Sequence, residues 1–234
     1  MPRRSRHFIP GTPLHLIQRG NNRHACYFRE ADYSIYLAKL LELSLKFHVS
    51  IHSYVLMTNH VHLLLTPSTP TGVSQLLQSL GSYYVRYINS TYNRTGTLWE
   101  GRFKSSLVNS DEYLFTVSRY IEMNPVRANM VDHPAEYPWS SYRFNALGKA
   151  NKLITPHTLY LSLGKTNQNR QATYRAYFES LIPDLTLEQI RIAANKGWVL
   201  GNAHFKAQIE KQLGQKLPPF KRGGDHKSRK FRQG

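Results

Sequence analysis

Val49-Ser50-Ile51-His52-Ser53-Tyr54-Val55-Leu56-Met57-Thr58-Asn59-His60-Val61-His62-Leu63-Leu64-Leu65-Thr66-Pro67 is the stretch on which the fold turns. Val49 to Met57 is rich in strand-forming residues and alternates in part. Thr58-Asn59 forms a turn, and His60 to Thr66 is a second apolar run that Pro67 ends. Two strands joined by a tight hairpin satisfy this pattern. Working outward, Ile35, Leu37, Ala38, Leu41 and Leu45 recur at helical spacing between Ala31 and Phe47, and residues 12–19 read as extended before the Gly20-Asn21-Asn22 turn. Downstream, Val73, Leu76, Leu77, Leu80, Tyr84 and Ile88 share one helical face over 72–92, and 98–108 reads as a strand. A third helix starts at the capping run Asn109-Ser110-Asp111, carries Leu114, Val117 and Ile121, and is expected to stop at Pro125.

The order β-α-β-β-α-β-α predicts an α+β fold of ferredoxin-like type: a four-stranded antiparallel sheet with two helices on one face, plus an extra helix that bears Tyr120. Residues 131–160 are rich in Pro, His, Trp and Tyr and read as irregular, while 168–181 and 186–213 are helical in pattern. The chain therefore divides into a main domain over 1–145, a small helical appendage over 146–213 and a disordered basic tail over 214–234.

Charge narrows the partner. The 234 residues hold 31 Lys and Arg against 14 Asp and Glu, a formal charge of +17. From Lys211 onward, Lys211, Lys216, Lys221, Arg222, Lys227, Arg229, Lys230 and Arg232 face one acid, Asp225, so much of the excess remains on the rest of the chain. Such a balance is the footprint of a polyanion binder, because cationic side chains displace the counterions condensed on phosphates. A lone Cys26 excludes an intramolecular disulfide and a Cys-rich zinc module. The basic start Met1-Pro2-Arg3-Arg4 leads into no apolar signal region, and no apolar run approaches the ~18 residues of a membrane span. The expectation is a cytoplasmic protein with no membrane partner.

Side chains two apart on a strand share a face, so His60 and His62 form half a metal site or, alternatively, two ordinary strand histidines. Tyr120 and Asn124 stand i, i+4 on the third helix and project from one side of it. A phenol, with an ordinary pKa near ~10, is a weak nucleophile unless a cation or base stabilises its phenolate; a metal would do so, and would polarise a phosphodiester too. Tyr120 read alone is equally an amphipathic core tyrosine. Tyr113, seven residues earlier, is the reserve nucleophile. Arg102, Lys104, Arg119 and Arg127 are candidate phosphate contacts, and Trp99 and Phe103 are candidate platforms for unpaired bases. Glu100 reads as a carboxylate behind the site or on the surface.

The His60-Val61-His62 strand, Gly96-Thr97-Leu98-Trp99-Glu100-Gly101-Arg102-Phe103-Lys104-Ser105 and Arg119-Tyr120-Ile121-Glu122-Met123-Asn124-Pro125-Val126-Arg127-Ala128 together resemble the REP-associated tyrosine transposases, bacterial relatives of the single-tyrosine transposases of IS200/IS605 insertion sequences. Arg19-Gly20-Asn21-Asn22 and Pro138-Trp139-Ser140-Ser141-Tyr142 extend the likeness over about residues 10–145. The resemblance implies an HUH endonuclease domain in which His60, His62 and Asn124 hold Mg²⁺ or Mn²⁺ and Tyr120 is the nucleophile. The implied reaction is transesterification on hairpin-bearing single-stranded DNA, through a 5′-phosphotyrosine, for mobilisation of palindromic repeats in the bacterial nucleoid. Insertion-sequence relatives work as homodimers that exchange the tyrosine helix, and repeat-associated relatives act as monomers. The alternatives are a non-catalytic, domesticated DNA-binding protein and an HUH replication initiator or relaxase.

Overall fold

In the computed structural model, which describes residues 8–217, the chain forms β1 (Leu14–Arg19), α1 (Glu30–Lys46), β2 (Val49–Met57), β3 (His60–Pro67), α2 (Gly72–Thr91), β4 (Lys104–Leu107) and α3 (Ser110–Glu122) in that order. The strands lie in the order β2-β3-β1-β4, and every neighbouring pair is antiparallel. This is the ferredoxin-like α+β arrangement that the element order predicts. Thr58-Asn59 closes the β2–β3 hairpin, and one register shift between Ile51 and Ser53 bends β2.

Both faces of the sheet are covered. Leu14, Leu16, Val61, Leu63 and Leu65 pack beneath α1 and α2, against Tyr36, Leu40, Leu76, Leu80 and Tyr84. The opposite face presents Val55, Met57 and Leu64 to Leu114, Val117, Tyr120 and Ile121 of α3. Double coverage explains why β2 and β3 alternate only in part, since a strand buried on two sides has no solvent face to make polar.

The segment 98–108 departs from the expected strand. Leu98 and Trp99 enter the core, only Trp99 bridges to Gly20, and Gly96 and Gly101 have φ of 86° and 148°, so regular pairing starts at Lys104. Pro125 likewise does not end the tyrosine helix. Helix α3 closes at Glu122, and Pro125 sits in the first turn of α4 (Asn124–Arg127), where its missing N–H leaves no bond unmade.

The following chain forms α5 (Tyr142–Asn145), α6 (Thr158–Ser162), α7 (Asn167–Ala176), α8 (Asp184–Lys196) and α9 (Ala203–Leu213). Gly197, at φ 66°, caps α8 and splits the helical pattern expected over 186–213. Beyond it, Leu200 N–H donates to the Leu107 carbonyl and Asn109 N–H donates to the Leu200 carbonyl, which sews this stretch to the end of β4. Ile190 and Ala193 of α8 complete the second core beside Val108 and Tyr120. Helix α8 thus packs on the sheet, whereas Tyr160, Leu163 and Tyr174 of α6, α7 and the turn between them gather in a separate cluster with Tyr142 and Ala146. Most of the basic tail expected over 214–234 lies outside the described residues, as do residues 1–7.

One buried carboxylate ties the tyrosine helix to the later ones. Glu122, the last residue of α3, accepts from Ser141 Oγ, from Asn145 Nδ2 at 2.8 Å and from the Tyr174 hydroxyl at 2.9 Å. Burial pushes its pKa from 4.5 up to about 7, against the downward pull of those three donors. The folded chain therefore holds this proton more tightly than the unfolded chain does. The resulting stabilisation is complete below pH 4.5 and is lost as pH rises through about 7, on the order of 3 kcal/mol at ~1.36 kcal/mol per unit. Urea unfolding of wild type and Glu122→Gln at pH 5 and pH 8 checks this: wild type should lose stability relative to the variant at pH 8. A difference that does not change with pH would show that Glu122 does not titrate in this window.

Candidate active site

The pairing register assembles the site. Along β1 and β3, His15 stands opposite Leu64, Ile17 opposite His62 and Arg19 opposite His60, so His15, Arg19, His60 and His62 share the sheet face that α3 covers. On the other side of β3, Val55 faces His62 and Met57 faces His60. Tyr120, 6% exposed, packs edge-on against His15 and His62, with ring centroids 5.7 Å apart in both cases. The His60 and His62 rings are 5.0 Å apart and nearly perpendicular.

Each imidazole is held by a partner. Asn59 Nδ2 donates to the Arg23 carbonyl, so Asn59 Oδ1 is an acceptor, and His60 Nδ1, 2.6 Å away, must be the donor. Only Nε2 of His60 then keeps a lone pair. His62 Nδ1 lies 2.9 Å from His15 Nε2, which leaves Nε2 of His62 as its outward nitrogen. Burial lowers all three pKa values, His15 to about 3, His60 to about 4 and His62 well below the usual range. The Arg19 cation adds to the shifts of His60 and His62. Near neutral pH these rings are uncharged, the form that binds metals.

The loop after β1 braces this end of the sheet. Gly20 N–H donates to the Asn59 carbonyl and Cys26 N–H to the Thr58 carbonyl. A Cβ on Gly20 would stand 2.3 Å from the His24 carbonyl and 2.6 Å from Cys26 Sγ, so this close approach admits only glycine.

Asn124 lies one turn past Tyr120. Its Nδ2 donates to the Tyr120 and Ile121 carbonyls at 2.9 and 3.2 Å, and the amide oxygen is the atom left over for a ligand. Two neutral imidazoles whose Nε2 atoms have no hydrogen-bond partner among the described residues, with an amide oxygen, are a donor set suited to a divalent ion that accepts mixed nitrogen and oxygen ligands. Mn²⁺ suits that set better than Mg²⁺, which favours oxygen. Among the described residues no group of three His, Cys, Asp or Glu side chains forms a metal cage.

The cations of the sequence reading separate. Arg127 belongs to the site: its guanidinium lies 4.4 Å from the Tyr120 ring centroid and donates to the Tyr120 carbonyl. Arg119 points elsewhere, donating to the Ser180 carbonyl and lying over Phe178 at 5.9 Å. Lys104 reaches Asn195 Oδ1 at 3.2 Å, and Arg102 is exposed in the turn before β4. Trp99 and Phe103, read as stacking platforms, are 6% and 8% exposed core residues, so their rings do not face solvent. Glu100 is an exposed turn residue, and Tyr113 makes no ring contact with the histidines among the described residues. His15, Arg19 and Asn59 were missed as site residues. The alternation His15-x-Ile17-x-Arg19 has the same period as His60-Val61-His62, but only the register shows that the two rows meet.

A family model described as "Transposase IS200 like" matches residues 10–124, which hold the whole sheet, α1, α2, α3 and Asn124. Among solved structures, the REP-associated tyrosine transposase bound to a REP hairpin superposes with a TM-score of 0.54 at 17% identity, over 67% of this chain and 93% of that one. A crystal structure of a candidate transposase from Deinococcus radiodurans R1 is 20% identical over 52% of this chain and 96% of that one, with a TM-score of 0.37. No curated protein matches the chain significantly. Residues 10–124 of the chain thus match the IS200-like transposase family.

Proposed function

We propose that this chain is a metal-dependent tyrosine DNA transposase that cuts and rejoins hairpin-bearing single-stranded DNA through a 5′-phosphotyrosine link to Tyr120. The observation that carries the reading is the placement of the Tyr120 ring against His62, on the face where the Nε2 atoms of His60 and His62 have no hydrogen-bond partner among the described residues. Its biological role is transposition or mobilisation of palindromic repeats in a bacterial nucleoid. The REP hairpin held by the structurally similar transposase and the +17 charge of this chain support a DNA hairpin as partner. Among the described residues no helix is long and apolar enough to cross a membrane.

In the proposed reaction the Tyr120 oxygen attacks the scissile phosphorus and the bond from phosphorus to the 3′-oxygen breaks. That oxygen leaves with the bonding pair and takes up a proton to become a free 3′-OH, while the phenolic proton passes to solvent. One ester replaces another, so attack by a different 3′-OH can rejoin the strand without ATP. A divalent ion held by His60 Nε2, His62 Nε2 and the Asn124 amide would supply Lewis acidity to the non-bridging phosphate oxygens. Arg127 offers a fixed positive charge beside the phenol. Arg102 and Lys104 are exposed and suited to backbone phosphates; Arg119, engaged with Ser180, is the weakest of the proposed DNA contacts.

A cleavage assay on labelled single strands carrying palindromes, with Mg²⁺ or Mn²⁺, tests the proposal. A covalent protein–DNA adduct should form with wild type and Tyr113→Phe and fall by roughly 10³-fold or more with Tyr120→Phe. Hairpin binding in a salt-dependent manner with no adduct under either metal would favour the non-catalytic DNA-binding reading. Arg102→Gln and Lys104→Gln should weaken hairpin binding similarly across sequences and each lower the salt slope by about 1. Unchanged slopes would remove both from the interface. We propose a monomer that supplies Tyr120 to its own histidines; rescued cleavage on mixing Tyr120→Phe with a His60→Ala/His62→Ala protein would instead establish a homodimer with shared sites.

A further inference from the structure

The His15 and His62 rings lie within 19° of parallel, with centroids 5.2 Å apart and the facing nitrogens 2.9 Å apart. That geometry is edge to edge, along the lone-pair directions, and not a face-to-face stack. His15 is fully buried at the centre of the sheet, on β1, diagonal to His62 across the β1–β3 pair. Its nitrogen toward His62 is already engaged, so His15 is not itself placed as a ligand.

A histidine that gives the Nε2 lone pair to a metal carries its proton on Nδ1, and that N–H needs an acceptor. For His60 the acceptor is Asn59 Oδ1. For His62 the facing group is His15 Nε2. To accept, His15 must keep Nε2 bare and carry its own proton on Nδ1. That Nδ1 is buried and has no partner among the described residues, and neither has Ser106 Oγ, on the residue directly opposite His15 across the β1–β4 pair. These are two buried polar atoms without partners, on residues paired across the sheet, where such atoms are normally bonded. A rotated Ser106 hydroxyl or a trapped water would complete a row running Ser106, His15, His62.

We propose that His15 is a positioning residue for the metal site: its Nε2 holds His62 in the ring orientation and tautomer that present Nε2 to a divalent ion. This inference rests on the metal-dependent reading above and assigns a role to a residue outside the ligand set.

Mn²⁺ titration of the full chain without DNA, read by the paramagnetic resonance signal of free Mn²⁺, tests it. His15→Phe keeps a ring and removes the acceptor, so the Mn²⁺ dissociation constant should rise 10-fold or more. His15→Gln restores an acceptor oxygen and should recover part of that loss. Equal affinity in wild type and His15→Phe would overturn the proposal while leaving the metal reading intact, and absence of Mn²⁺ binding by wild type would overturn both. If the Phe variant does not fold, the unaltered chain still decides: with Cd²⁺ bound, imidazole ¹⁵N shifts should show His62 protonated at Nδ1. Protonation at Nε2 would refute the role assigned to His15.

Discussion

The antiparallel register of β1 against β3 is the constraint on which the site depends. Because side chains alternate along a strand, a slip of one residue would send His15 and Arg19 to the side of α1 and α2 and leave His62 beside the wrong neighbours. Register is strongly specified here because the other side of the same strands carries Leu14, Leu16, Val61, Leu63 and Leu65, which a slip would expel from the main core. The apolar face thus fixes the polar one, and the histidine row is held in register by leucines on the opposite face of the same strands.

A face that carries three histidines and an arginine is costly to bury unless its polar atoms find partners. The structure meets part of that cost locally: Asn59 serves His60, His15 serves His62, and the β1–α1 loop is bonded to the turn that presents them, while His15 Nδ1 has no partner among the described residues. The lid over this face is α3, whose closing residue, Glu122, is anchored by Ser141, Asn145 and Tyr174 from the segments that follow. Tyr120 and Asn124 flank that anchor by two residues on either side. The late helices therefore bear on the site although they contribute no ligand to it, since they fix the end of the helix that carries the tyrosine.

Much of the fold was legible because its signals are local. The hairpin around Thr58-Asn59, the helical spacing of α1 and α2 and the cap at Asn109 each follow from residues close in sequence. The misreadings arose where distant chain decided the outcome. Residues 98–103 read as strand because Leu98, Trp99 and Phe103 suit one, yet these three side chains serve the core, and Gly96 and Gly101, both with positive φ, turn the chain just before and within the stretch. Pro125 looked like a stop because proline cannot continue a helix interior, yet it begins a new turn. The site was half legible: His60 with His62 and Tyr120 with Asn124 form motifs at short spacing, whereas His15 and Arg19 lie on a different strand, far in sequence from both pairs.

The sequence by itself determined the element order, the antiparallel α+β class, the basic character and the short motifs, because helical and strand periodicity, turn chemistry and charge are written in neighbouring residues. Only the tertiary structure decided which cations stand at Tyr120, that α3 and α8 together close the second sheet face, and that His15 meets His62 nitrogen to nitrogen. Those outcomes follow from strand register and helix packing, which bring together side chains far apart in the chain.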